Sequence, residues 1–505
     1  MYKFDPHENE VQYLEDVATS YWHSEVLFSA VELGIFEHIQ QPKTVDEICT
    51  VFDCDSKAMI RFLEVLLLMG LVSTYQGSYM NSQISSTYLI KGKEMYQGDS
   101  ILWRKELKSQ WNELTETIKK GKRIHYIPED DEHILYERTK KYISAMDAVI
   151  KDKAKEIVSM FENIELEGNV LDVGAGSGAF SAEFIKRYPQ LHATLFDLEN
   201  VIKIGEEKYK GVDSIHFHVG NILENWTIQS NYQCIIFSNI LHAYSEEEVE
   251  QIFEQGMERI SAGGYFIIHD FFMEHSQLKA GLSDLNMMIN TYNGKVFHAN
   301  WICEKLEQLG LDHTNLIPLE GDTGVIFASK SANSIRKLCI NKQKLLLQKI
   351  TTDYGLSSYR RIVPNTDVFL TDIASLKCQY GCDFYVKGTC QTKCANLEKT
   401  KDLLLEFSQG VLIEGEPPTK DFQKKMLQIE KAAFKLGFYK AFVLWAGPCS
   451  LCETCKRGED HCTRTRPSME SYGIDVFETV RKQGITLKTL DKQEYIKYFG
   501  LLLLE

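Results

Sequence analysis

Residues 169–197 read NVLDVGAGSGAFSAEFIKRYPQLHATLFD. An apolar run is followed by alternating glycines, a helical segment with Phe180, Phe184 and Ile185 on its apolar side, and a second apolar run ending in Asp197. Glycines at 174, 176 and 178 let the backbone approach a ligand closely, and a carboxylate at 197 can accept both hydroxyls of a ribose. The chemistry implied is nucleoside binding. The glycines alternate, which is not the G-x-G-x-x-G spacing of dinucleotide sites.

A second set is formed by eight of the thirteen cysteines. They fall into two groups, Cys378-x3-Cys382-x7-Cys390-x3-Cys394 and Cys449-x2-Cys452-x2-Cys455-x6-Cys462. In a reducing compartment such clusters bind metal more often than they form disulfides. Three thiolates within seven residues, Cys449 to Cys455, crowd one centre from one loop, as in ferredoxins. Structural zinc more often uses two separated C-x2-C knuckles. An iron–sulfur cluster (4Fe–4S) is therefore favoured, with zinc the alternative and either one or two centres open. Tyr385 stands where a C-x3-C-x2-C triplet would need its third cysteine. Cys49, Cys54, Cys234, Cys303 and Cys339 are scattered, and most are expected to be buried thiols.

These residues must be positioned by more than one core, since 505 residues suggest about three domains. Residues 10–90 have a winged-helix order: an amphipathic helix at 21–39, a Thr44/Glu47 capping box, a helix from Ser56 with Ile60, Leu63, Leu67 and Met69 spaced for burial, and a strand pair around Gly77. Residues 91–160 read as a helical linker. Residues 161–330 alternate strands (215–219, 233–237, 265–269, 323–329) with helices, which predicts a doubly wound, mostly parallel α/β sheet. Residues 331–348 read as a connecting segment, and 350–505 as an α+β cysteine-rich domain.

The net charge of −15, and Lys57 and Arg61 countered by Glu64 on the would-be recognition helix, argue against nucleic-acid partners. The N-terminal MYKFDPHENE lacks a signal-peptide pattern, and no apolar run is long enough to span a bilayer. A cytoplasmic protein with no membrane partner is expected.

The acid-led form Asp172-x-Gly174-x-Gly176 resembles motif I of S-adenosylmethionine (SAM) methyltransferases. SAM carries no phosphate, so an acid at Asp172 is tolerated and can lie near the cationic methionine end. Ordered matches at WHSEVLFSAVELGIFEHI, LDVGAGSGAFS, FDLENVI, SNILHAYSEEE and ISAGGYFIIHDFF extend the likeness over about 15–330. This region resembles the plant-type and bacterial small-molecule O-methyltransferases that include hydroxyindole and caffeate enzymes. The resemblance implies a winged-helix dimerisation domain, a Rossmann-like catalytic domain, a homodimer, and methylation of a hydroxyl on a small acceptor. It assigns SAM binding to Asp172, Gly174, Gly176, Gly178 and Asp197. Asn221 stands where the family has an aspartate at the adenine amine. His242 matches the general base, with Ala243 replacing a frequent aspartate, and Asp270 replaces the glutamate that orients the base. A nucleophile other than a hydroxyl stays open.

Residues 350–505 resemble a family of predicted metal-binding domains found in anaerobes, at LKCQYGCDFYVKGTC and GPCSLCETCKRGEDHCTRTRPSMESYGIDV. That family follows its third cysteine with prolines, whereas Cys390 is followed by Gln391-Thr392-Lys393-Cys394. A cluster would need a redox partner. Two other readings stay open: a redox or metal-handling protein whose SAM fold senses its ligand, and, least favoured, a DNA-binding regulator.

Overall fold

Continuous apolar strands flanked by amphipathic helices bury a sheet on both faces. The computed structural model of the chain shows that arrangement twice. It describes residues 10–124, 132–228, 231–356, 358–381, 396–445, 447–452, 462, 465–485, 487 and 497–505. Contacts divide the chain into two units, Tyr21–Ile340 and Asn341–Glu505, with the helix Glu10–Thr19 grouped with the second.

In the first unit the helix Val45–Phe52 carries the expected capping box: Thr44 Oγ1 accepts from Glu47 N, and Glu47 accepts from Thr44 N. Helix Ser56–Leu68 follows, capped by Asp55, and then the hairpin β1 (Val72–Tyr75) and β2 (Ser78–Asn81). The buried positions of that helix are Met59, Leu63 and Leu66, not the expected Ile60 and Leu67, which face water with Val65 and Leu68. The register differs because the domain's own core needs only one side of the helix. Leu68 is 87% exposed, and so much uncovered apolar surface favours a second copy. Light scattering should give the mass of two chains at micromolar concentration, and a Leu68→Glu, Ile60→Glu variant should run as one.

The main sheet contains β3 (Gly168–Val173), β4 (Leu191–Asp197), β5 (Ile215–Val219), β6 (Tyr232–Ser238), β7 (Ile260–Asp270), β8 (Asp312–His313), β9 (Ile317–Pro318) and β10 (Gly324–Ser329). Its order is β5-β4-β3-β6-β7-β10-β8, with β9 also on β10. The first five strands are parallel, whereas β10 is antiparallel to β7. Alternate side chains feed the two cores: Ile235 and Phe237 on one face, Cys234 and Ile236 on the other. Chain order reverses direction at β3, and in such sheets ligands bind beyond the carboxyl ends of the strands at that point.

Residues 91–160 are more than a linker. Helix Glu132–Ser159 packs against helices Gly98–Trp111 and Ala179–Arg187, and its Ala154, Ile157 and Val158 join the core of Phe161 and Phe184. The connecting segment predicted at 331–348 is also shorter. Helix Ala332–Lys337 lies on the first core, while Leu346 and Leu347 of helix Lys342–Thr352 belong to the second.

The second unit is built on β11 (Tyr359–Ile362), β12 (Gln409–Gly415), β13 (Phe442–Leu444) and β14 (Tyr498–Leu504), antiparallel in the order β11-β12-β14-β13. Val411 and Leu502 face helix Thr419–Lys435, and Leu412 and Leu501 face the opposite core. No described helix is long and apolar enough to cross a membrane.

Candidate functional site

The turn after β3 carries Gly174, Gly176 and Gly178 at φ of 67°, 53° and 71°, a region costly for other residues. At Gly174 there is a second reason. A Cβ there would lie 2.6 Å from Ile240, which belongs to the segment leading to His242. The glycine thus lets this turn and the histidine turn pack together. At Gly176 a Cβ would meet only Ile143, at 3.8 Å, so the turn is open to a ligand. Asp197 ends β4 and faces this turn. Its Oδ2 accepts from Gly176 N at 2.8 Å and its Oδ1 from Leu198 N at 2.7 Å. Burial pushes this carboxyl up, against the pull of those two N–H groups. Each oxygen keeps a lone pair for a further donor.

Asp172, near the end of β3, is 2% exposed and accepts from Ser181 Oγ at 2.8 Å, and burial pushes its carboxyl up to about 7. It braces the first turn of helix Ala179–Arg187. Asn221, after β5, accepts Leu223 N on its Oδ1 at 3.1 Å, which leaves its amide NH2 and one lone pair.

The turn Leu241–Ala243 holds His242, and the end of β7 holds Asp270. The Asp270 carboxylate accepts from His242 N at 3.3 Å and lies 2.5 Å from His242 Nδ1. A carboxylate only accepts, so Nδ1 carries the proton and Nε2 keeps its lone pair. Burial favours the neutral ring, but the charge and hydrogen bond of Asp270 outweigh it and hold the pKa above the usual value. Neighbouring His269 behaves oppositely. Ser238 and Thr323 occupy both its ring nitrogens, and burial lowers its pKa to about 4. It is a satisfied core residue.

Two tyrosines escaped the sequence reading. The phenol of Tyr244 is pushed up to about 12 by burial and then by the charge of Asp197, whereas Tyr142, in helix Glu132–Ser159, is 40% exposed and feels the same charge. Both therefore lie near the Asp197 carboxylate. Tyr244 lies in the HAYSEEE segment and could have been noted; Tyr142 had no local signal.

Of the cysteines, Cys449, Cys452 and Cys462 are described, none of them in a disulfide, the first half-buried and the others exposed. Cys378 lies in helix Asp372–Gly381, and its side chain, with Cys382, Cys390, Cys394 and Cys455, lies outside the described residues. Among the described residues no three potential ligands converge. The flanking chain is nonetheless held firmly. Gln423, fully buried in helix Thr419–Lys435, donates to Pro448 O at 2.9 Å and accepts from Ser450 N at 2.8 Å, bracketing Cys449. Arg466, four residues beyond Cys462, donates from Nε to both oxygens of Glu430, at 2.8 and 3.1 Å. Of the isolated cysteines, only Cys234 is fully buried; Cys49, Cys54, Cys303 and Cys339 are half-buried.

Comparison with known proteins gives matches over three stretches of the chain. Residues 15–91 match the O-methyltransferase dimerisation domain, 111–311 the O-methyltransferase domain, and 361–504 a predicted metal-binding protein family. A 3-hydroxy-5-methyl-1-naphthoate 3-O-methyltransferase of Streptomyces sahachiroi is 21% identical, over 64% of this chain and 93% of its own. Acetylserotonin O-methyltransferase of Bos taurus is also 21% identical, over 55% and 86%. The crystal structure of human N-acetylserotonin methyltransferase with SAM superposes at a TM-score of 0.58, with 19% identity, over 65% of this chain and 99% of that one. At that identity the superposition establishes the fold. Residues 15–311 thus match the dimerisation and catalytic domains of O-methyltransferases and mark a SAM-dependent methyltransferase, and a match to a predicted metal-binding family follows at 361–504.

Proposed function

We propose that the chain methylates a hydroxyl of a small acceptor with His242 as general base. The observation that carries this is the His242–Asp270 pair at the strand ends beside the glycine turn, with Nε2 free among the described residues. Bound SAM supplies an electrophilic methyl on a sulfonium. Asp197 holds the ribose through charge-assisted hydrogen bonds, and Asn221 reaches the adenine amine. His242 Nε2 takes the hydroxyl proton, which raises the nucleophilicity of the oxygen. Asp270 fixes the tautomer and stabilises the imidazolium so formed.

The open turn at Gly176 and the spare lone pairs of Asp197 fit a nucleoside. Asp197→Ala should weaken SAM binding at least tenfold, about 1.4 kcal/mol or more, in calorimetry. Unchanged affinity would remove Asp197 from the site.

In the C-terminal domain the thiols Cys449, Cys452, Cys455 and Cys462 are proposed as the main ligands of a 4Fe–4S cluster, with Cys378, Cys382, Cys390 and Cys394 supplying a second centre or sharing the first. The donor chemistry supports this, since the described thiols are outside any disulfide and the chain around Cys449 is bracketed by Gln423. Gln423 and the Glu430–Arg466 pair hold the ligand segments in place. Such a centre exchanges electrons with a redox partner. The proposed setting is the cytoplasm, where thiols stay reduced.

A further inference from the structure

The C-terminal unit contains a cavity of about 290 Å3 that methyl transfer does not use. Its walls are largely apolar, including Ala374, Pro448, Ile474 and Phe477. Phe477 is 44% exposed, and Ile373 beside it 60%, so apolar surface here is left open to water. Glu470 forms one polar wall. Its carboxylate interacts with the backbone of Gly447 and the hydroxyl of Ser468. Its Oε2 is closed off from solvent and has no hydrogen-bond partner among the described residues. A buried carboxylate left in this way is unfavourable unless it gains a donor or a counter-charge, and burial pushes its carboxyl up accordingly. The charged residues of the wall are Glu470, Asp475 and Lys377, two acids against one base.

We propose that this cavity binds a small organic amine, its apolar body against Phe477 and Ile373 and its ammonium group paired with Glu470. The volume is near the small end of ligand pockets, which suits a single aromatic ring with a short side chain. Two walls of the cavity belong to the cysteine segments. One is helix Asp372–Gly381, which contains Cys378, and the other is the Gly447–Pro448 run that leads into Cys449. An occupant therefore braces both segments at once.

Calorimetry on the intact, anaerobically prepared protein tests this with 2-phenylethylamine and its shape-matched anion, 3-phenylpropanoate. The amine should bind saturably and the anion should not. Glu470→Gln keeps the side-chain shape and should weaken the amine at least tenfold, and Ala374→Phe, which fills the cavity, should abolish binding. The proposal falls if the amine does not saturate the wild type at millimolar concentration, if the anion binds equally, or if neither variant changes the amine's affinity. It falls equally if Glu470→Gln depletes bound metal while amine affinity stays unchanged, which would place Glu470 in the metal centre.

Discussion

Replacing His242 with alanine should lower turnover by roughly 100- to 10,000-fold, the usual contribution of a positioned general base. That is a barrier increase of about 2.7–5.5 kcal/mol. SAM affinity should be nearly unchanged, because the ribose is proposed to be held by Asp197 and not by the imidazole. The pH profile carries a further signature. The base works only as the neutral ring, and Asp270 holds the His242 pKa above the ordinary value near 6.5. Activity should therefore rise with pH along a limb centred above 6.5. Asp270→Asn removes the charge and should move that limb to lower pH while also reducing turnover, since the tautomer is less firmly set. The stability from the pair has the opposite sense: it is full below the unfolded pKa and is lost as pH rises through the raised folded value. A His242→Ala enzyme with near-normal turnover would show that proton removal happens elsewhere or is not needed.

Protein purified without oxygen should contain iron and acid-labile sulfide in near-equal amounts, with broad absorption near roughly 400 nm from thiolate–iron charge transfer. Cys452→Ser should bleach that band. Metal binding and folding of the ligand segments are coupled, so the same variant should become sensitive to protease within the C-terminal domain. Helix Thr419–Lys435, with Gln423 and Glu430, sits in the unit's own core and should remain folded, so cleavage should fall near the cysteine segments. Stoichiometric zinc without sulfide would replace the cluster with a structural zinc domain.

Much of the catalytic architecture is local and was legible in the residues. The glycine turn, the acid at the end of the next strand, the capping box at Thr44 and the apolar strand runs are patterns within a few residues of one another. Backbone sterics and hydrogen-bond geometry act at that range. Cysteine spacing is local in the same way, with Cys449, Cys452 and Cys455 inside seven residues of chain. What the tertiary structure decided lies at long range. His242 and Asp270 are 28 residues apart and meet because β6 and β7 end side by side. Gln423 brackets Cys449 across 25 to 27 residues, and Glu430 meets Arg466 across 36. Asp172 is buried against Ser181, and the exposed side of helix Ser56–Leu68 is turned by one position, because burial depends on which neighbour covers a face. Periodicity shows that a face is apolar; only packing selects what covers it.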